Sequence, residues 1–187
     1  MKSSKSAVLD CTLRDGGYYT NWNFSSVFFD KYLNAIKSLP IKFIELGYIS
    51  DNKDGLGPFY HLDNSIIEYT KRSVRKDQKI LAMINFKEIQ NANHLKRIVE
   101  KYGKFLDGIR FAVSPNKILK FKSLIKSLKN SKYKNLDVYL NLMYLSDWHQ
   151  NDKLIKKIFK NIPRDIKALA FVDSHGALEP NQVEIFF

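Results

Sequence analysis

Cysteine is nearly absent: Cys11 is the only one in 187 residues, which excludes an intrachain disulfide and points to a cytoplasmic setting. Long apolar runs are also missing, so no segment is expected to span a bilayer. The N-terminal stretch MKSSKSAVLD is basic but carries no sustained apolar core, so it is not expected to act as a secretory signal. No G-x-G-x-x-G follows the first apolar run, which speaks against a dinucleotide-binding fold. No linker or low-complexity stretch divides the chain, and residues 1–187 read as a single domain. What is present fits a folded globular protein: 44% hydrophobic and 27% charged residues.

The net charge of +12 raises the question of a nucleic-acid partner. Most of the excess is lysine, in segments such as KILKFKSLIKSLKNSKYKN and NDKLIKKIFKN. In the second, Ile155, Ile158, Phe159 and Ile162 share one helical face and the lysines fall mostly away from it, as on a solvated outer surface. Arginines that read bases are few and no nucleic-acid motif occurs, so no nucleic-acid partner and no membrane partner are expected.

Hydrophobic periodicity divides the chain into alternating pieces. Short runs rich in Ile, Leu, Val and Phe at 7–13, 41–48, 79–86, 107–113, 137–145 and 166–173 suit parallel strands covered on both faces. Between them lie amphipathic helices. One is capped by Ser25 or Ser26 and buries Phe28, Phe29, Leu33 and Ile36. Another carries Leu95, Ile98, Val99 and Tyr102 and ends at Gly103, and a third, started by Pro115, carries Ile118, Phe121, Ile125 and Leu128. Residues 59–75 read as a further, less regular helix. The strand-helix order fits either a doubly wound open sheet or a (β/α)8 barrel.

In parallel α/β folds chemistry gathers at the carboxyl ends of strands. The first run leads into Arg14-Asp15-Gly16-Gly17, read as a tight turn; Glu45 stands near the end of the second and Asn85 of the third. Arg110 lies in the fourth, Asn141 in the fifth, and the sixth closes with Asp173-Ser174-His175. Asp15 offers a hard oxygen ligand for a divalent cation, and the glycines after it allow a close backbone approach. Arg14 presents a planar fork suited to a carboxylate or enolate oxygen, and Glu45 is placed to hold it. The plainer reading stays open at each position: a buried Arg14–Asp15 or Arg14–Glu45 ion pair, a helix cap at Asp173, a loop histidine at His175, and a structural charge at Arg110.

The motif LDCTLRDGG resembles the opening signature of the metal-dependent aldolase and Claisen-condensing (β/α)8 barrels, which include hydroxymethylglutaryl-CoA lyase, isopropylmalate synthase and 4-hydroxy-2-oxovalerate aldolase. FIELGYISDNKDGLG resembles that group's second strand and loop, and LAFVDSHGALEP its sixth strand. The resemblance is strongest to the oxovalerate-aldolase branch. It implies a parallel (β/α) TIM-type barrel with about six of its eight units present, and a metal-dependent C–C lyase acting on a 2-keto acid or related carbonyl substrate. Asp15 would bind Mn²⁺, Mg²⁺ or Zn²⁺, Arg14 would steady an enolate oxygen, and Glu45 would orient Arg14. Where that branch carries an acid/base histidine, this chain has Tyr18, a residue type better suited to giving a proton than taking one near neutrality. Asn85, Arg110, Asn141, Asp173, Ser174 and His175 would contact substrate. The group's His-x-His ligand motif does not occur, so full metal coordination is not expected from this chain alone. Either the barrel is truncated at its C-terminal side, as a piece of a longer enzyme, or a homo-oligomer or partner chain would complete it, or activity has been lost. The alternatives are a non-catalytic interaction module and a Claisen-condensing acyltransferase of the isopropylmalate synthase type.

Overall fold

The computed structural model describes residues 6–51, 55–129 and 136–184. Residues 52–54 of the second-strand motif and part of the lysine-rich stretch, 130–135, lie outside the described residues. The strands are β1 (Val8–Asp10), β2 (Ile41–Tyr48), β3 (Lys79–Asn85), β4 (Gly108–Val113), β5 (Asp137–Leu142) and β6 (Ala168–Phe171). The helices are α1 (Thr12–Thr20), α2 (Ser26–Ser38), α3 (Asn64–Ser73), α4 (Ala92–Tyr102), α5 (Ile118–Lys129), α6 (Leu145–Trp148), α7 (Asp152–Asn161) and α8 (Pro180–Glu184).

Hydrogen bonding orders the strands β1-β2-β3-β4-β5-β6, in chain order. The pairs β1–β2, β2–β3 and β5–β6 are parallel, with Leu9 opposite Phe43, Glu45 opposite Leu81 and Asn141 opposite Ala170. Sequential parallel strands joined by helices are the βα repeat of a TIM-type barrel, here with six of the eight units.

Two compact units divide the chain: 1–84 with 98–109, and 85–97 with 110–187. In the first, β2 is buried along almost its whole length, and Ile44, Leu46, Ile80, Leu33 and Ile67 make its core. Helix α2 starts where the Ser25 hydroxyl accepts from Phe28 N at 3.2 Å, and α3 where Asp63 accepts from Ser65 N and Ile66 N. In the second, Phe86, Phe111 and Phe121 meet edge to face beside the buried Ile118, Val138, Leu140 and Ile158. Here Pro115 opens a single 3-10 turn that runs into α5, and Asn151 caps α7 by accepting from Leu154 N at 3.0 Å.

The first strand is shorter than its composition suggests. Asp10 ends it: one carboxylate oxygen takes Thr12 N at 3.0 Å and the Tyr32 hydroxyl at 2.6 Å, and the other takes the Thr12 hydroxyl. With Thr12 so held, Asp15 N reaches Cys11 O at 2.9 Å and a helix begins. Arg14, Asp15, Gly16 and Gly17 therefore lie in α1, and the tight turn expected there is replaced by helix. Likewise the fifth strand stops at Leu142, and Leu145 opens the short α6.

Candidate active site

In the first unit the helix start at Thr12 and the strand β2 bring Arg14 against Glu45. The Glu45 side chain is fully buried and that of Arg14 is 16% exposed. Arg14 Nε donates to Glu45 Oε1, Nη1 lies 2.9 Å from Asp15 Oδ1, and Nη1 also reaches the Tyr48 hydroxyl at 3.4 Å. A carboxylate so deeply buried tolerates its desolvation because a fixed guanidinium faces it. Burial, the strongest single influence on Arg14, works against its charge. Glu45, then Tyr48 and Asp15, reverse that, and the guanidinium is held above its ordinary value.

Arg14 is also gripped through its backbone, because the Trp22 indole donates to Arg14 O at 2.9 Å. Trp22 and Asn21 both have left-handed backbones, with φ of 55° and 51°. The strand-following loop holds this strained pair: Gly57 N donates to Asn21 O at 2.7 Å and Phe59 N to Trp22 O at 3.3 Å. The indole packs against Gly17, where a Cβ would stand 2.1 Å from Trp22 Cδ1. Gly17 is there to admit a tryptophan, and neither it nor Gly16 has a positive φ.

Around Trp22 the rings of Tyr18, Tyr60 and Tyr48 pack edge-on, with centroids at 4.7, 4.8 and 5.8 Å. The Tyr18 and Tyr48 hydroxyls are 3.2 Å apart. Tyr48 stands three residues after Glu45, so simple alternation would put the two side chains on opposite faces. The register shifts between Glu45 and Tyr48, and Gly47 between them has φ 157° and sits where a Cβ would stand 1.9 Å from the Phe59 carbonyl oxygen. This irregularity turns Tyr48 to the side of Glu45 and Arg14. Tyr48, Trp22 and Tyr60 carry no site motif in the sequence; the one signal for them is an isolated glycine inside an apolar strand. Burial, followed by the Tyr18 hydroxyl, pushes the Tyr48 phenol above its ordinary range, although Arg14 pulls it down.

The second unit holds the other expected residues. Arg110 on β4 and Asn141 on β5 are buried together, and Arg110 Nη2 donates to Asn141 Oδ1 at 3.2 Å. Asn85 ends β3, half-buried, and its side chain does not cap the 3-10 turn that follows. Asp173 anchors its own loop by accepting from Leu178 N at 2.8 Å, a bond that holds its carboxyl below the usual range. The Ser174 hydroxyl accepts from Tyr144 N at 2.9 Å. His175 stacks on Tyr144 and lies 3.6 Å from Asp147, while Tyr144 itself has φ 61°.

Among the described residues no three His, Cys, Asp or Glu side chains come together as a metal-holding group. Asp15, 59% exposed, supplies one oxygen donor, and the Glu45 carboxylate beside it is taken by Arg14. This donor set does not fit a cation held by the described residues alone. No described helix is long and apolar enough to cross a membrane.

Among solved structures, the chain is similar to the N-terminal domain of an inferred aldolase from Bacteroides vulgatus. The two are 32% identical with a TM-score of 0.85, over 96% of this chain and 58% of that one. The fold is therefore aldolase-like, and the chain spans little more than half the length of the protein it matches. No protein-family model and no curated protein matches the chain.

Proposed function

We propose that the chain carries the enolate-handling part of an aldolase-type lyase acting on 2-keto acids. The observation that carries this is the buried Glu45 carboxylate holding Arg14 by Nε, with Asp15 and Tyr48 at Nη1 of the same guanidinium. The aldolase assignment of the Bacteroides vulgatus structure supports it by similarity. In the cleavage direction, a base removes the proton of the substrate's C4 hydroxyl and the C3–C4 bond breaks. An aldehyde leaves, and the electron pair moves onto the C2 oxygen as an enolate. Arg14, locked by Glu45, presents a fixed positive fork to that oxygen with no reorganisation as charge develops. Tyr18 then gives its hydroxyl proton to C3, and water restores it. Within the second unit, Arg110, steadied by Asn141, offers a planar fork suited to a carboxylate, and Asn85, Asp173, Ser174 and His175 offer further polar groups for a substrate. A divalent cation, Mn²⁺, Mg²⁺ or Zn²⁺, belongs to the proposal with Asp15 as one ligand; its other donors would come from outside the described residues, and no step above runs through it.

Pyruvate, the simplest 2-keto acid with an exchangeable methyl group, tests this. In D₂O with Mn²⁺ the chain should speed loss of the methyl proton signal, and Arg14→Lys should slow that exchange at least about 10²-fold, the usual loss for one oxyanion donor. Equal exchange in protein-free Mn²⁺ controls would defeat the reading. That the described residues hold no three-ligand group favours a second reading, an interaction module without catalysis. Calorimetric titration with Mn²⁺ showing no heat of binding, joined to absent exchange, would select it.

A further inference from the structure

The Tyr18 and Tyr48 hydroxyls beside Arg14 lie within hydrogen-bond distance, where either could donate, and their surroundings favour one direction. Arginine has only donors, so the 3.4 Å contact from Arg14 Nη1 makes the Tyr48 oxygen an acceptor. Tyr48 is buried, and its own hydrogen needs an acceptor; the Tyr18 oxygen stands 3.2 Å away. Donation from Tyr48 to Tyr18 satisfies both, and it leaves the Tyr18 hydrogen to point outward from a residue that is 64% exposed. Edge contacts with Trp22 hold both rings in place, and a further contact with Tyr60 at 5.1 Å fixes Tyr48.

We infer that Tyr48 is a positioning residue for Tyr18, joining Arg14 to the Tyr18 hydroxyl so that this hydroxyl is held as an outward-facing proton donor. The inference rests on the enolate reading given above. In the step it serves, the Tyr18 O–H bond breaks and a C–H bond forms at C3. The enolate pair supplies that bond, and the C2 carbonyl re-forms. The phenolate left on Tyr18 accepts a hydrogen bond from Tyr48, whose oxygen is in turn held by the Arg14 cation, so each bond in the row strengthens the next. Solvent then returns the proton. Tyr48 need not touch the substrate, and neither Glu45 nor Asp15 could do its work because carboxylates carry no hydrogen to give.

Two measurements on the full chain separate this inference from the reading it rests on. With tyrosine labelled at ¹³Cζ and the Tyr18 resonance assigned by its loss in Tyr18→Phe, Arg14→Lys should move the Tyr18 resonance in the otherwise native chain. The same change should leave that resonance in place when Tyr48 is Phe, a substitution that keeps the ring and its edge contacts. An equal response in both backgrounds overturns the link, whether or not the chain is active. In the pyruvate exchange assay, Tyr48→Phe should lower turnover about tenfold with KM unchanged, a fraction of what general acid catalysis supplies. Tyr18→Phe with Tyr48→Phe should be no slower than Tyr18→Phe alone. Additive losses would reduce Tyr48 to packing. Absent exchange in the native chain defeats the enolate reading and leaves the resonance measurement to decide on Tyr48.

Discussion

A methyl group added at Gly16 would meet only Phe24 Cζ at 3.8 Å, while one added at Gly17 would overlap the Trp22 ring. Both positions are helical, where Ala is preferred to Gly by roughly 1 kcal/mol. Gly16→Ala is therefore expected to leave stability unchanged or raise it by up to about 1 kcal/mol, and Gly17→Ala to lower it, because a buried indole cannot withdraw. Urea midpoints of the two variants check this by their opposite signs. Replacing Arg14 by Leu strips the buried Glu45 of its guanidinium, and about 3–5 kcal/mol should be lost in the same measurement. These residues were legible in the sequence as a group, since Arg14, Asp15 and Glu45 do gather in the first unit. The reason for the glycines was not: the partner of Gly17 is a tryptophan five positions on, brought back by two left-handed residues that no periodicity announces.

Helix α3 shows how one side chain sets an element's start and its response to acid. Asp63 accepts from the Ser65 hydroxyl, then from Ile66 N and Ser65 N, and these bonds hold its carboxyl below the ordinary value. A depressed folded-state value means that the contribution is present above the unfolded pKa, about 3.9, and is lost as pH falls through the lowered one. Asp63→Ala should destabilise by about 1 kcal/mol near neutral pH. Asp63→Asn, itself a good cap, should keep most stability at pH 7 and flatten the acid limb of a denaturation series. Element positions followed the sequence most closely where burial enforces them: β2 runs from Ile41 to Tyr48 as its apolar run implies. They drifted where polar side chains intervene, as at Asp10, whose bonds to Thr12 turn the last part of an apolar run into helix.

Across the whole chain the net charge is +12, most of it lysine and most of it in the second unit. The exposed lysines of α5 and α7 repel one another over distances that salt shortens, from roughly 30 Å at 0.01 M to 8 Å at 0.15 M. The thermal midpoint should therefore rise between those two salt concentrations; a fall would mean that attractive pairs such as Arg14–Glu45 outweigh the repulsion. The six-unit parallel fold was legible because its strands are nearly continuous apolar runs, and the likeness to the Bacteroides vulgatus structure agrees with it. The setting of Tyr48 was hidden, because it faces Arg14 only through the irregularity at Gly47. The strained Asn21–Trp22 turn has a consequence for anyone who cuts or rewires this protein. Its grip comes from Gly57 and Phe59, far along the chain, so new termini opened between β2 and α3 would free the turn and let the indole swing from the Arg14 carbonyl while the described strands stayed paired.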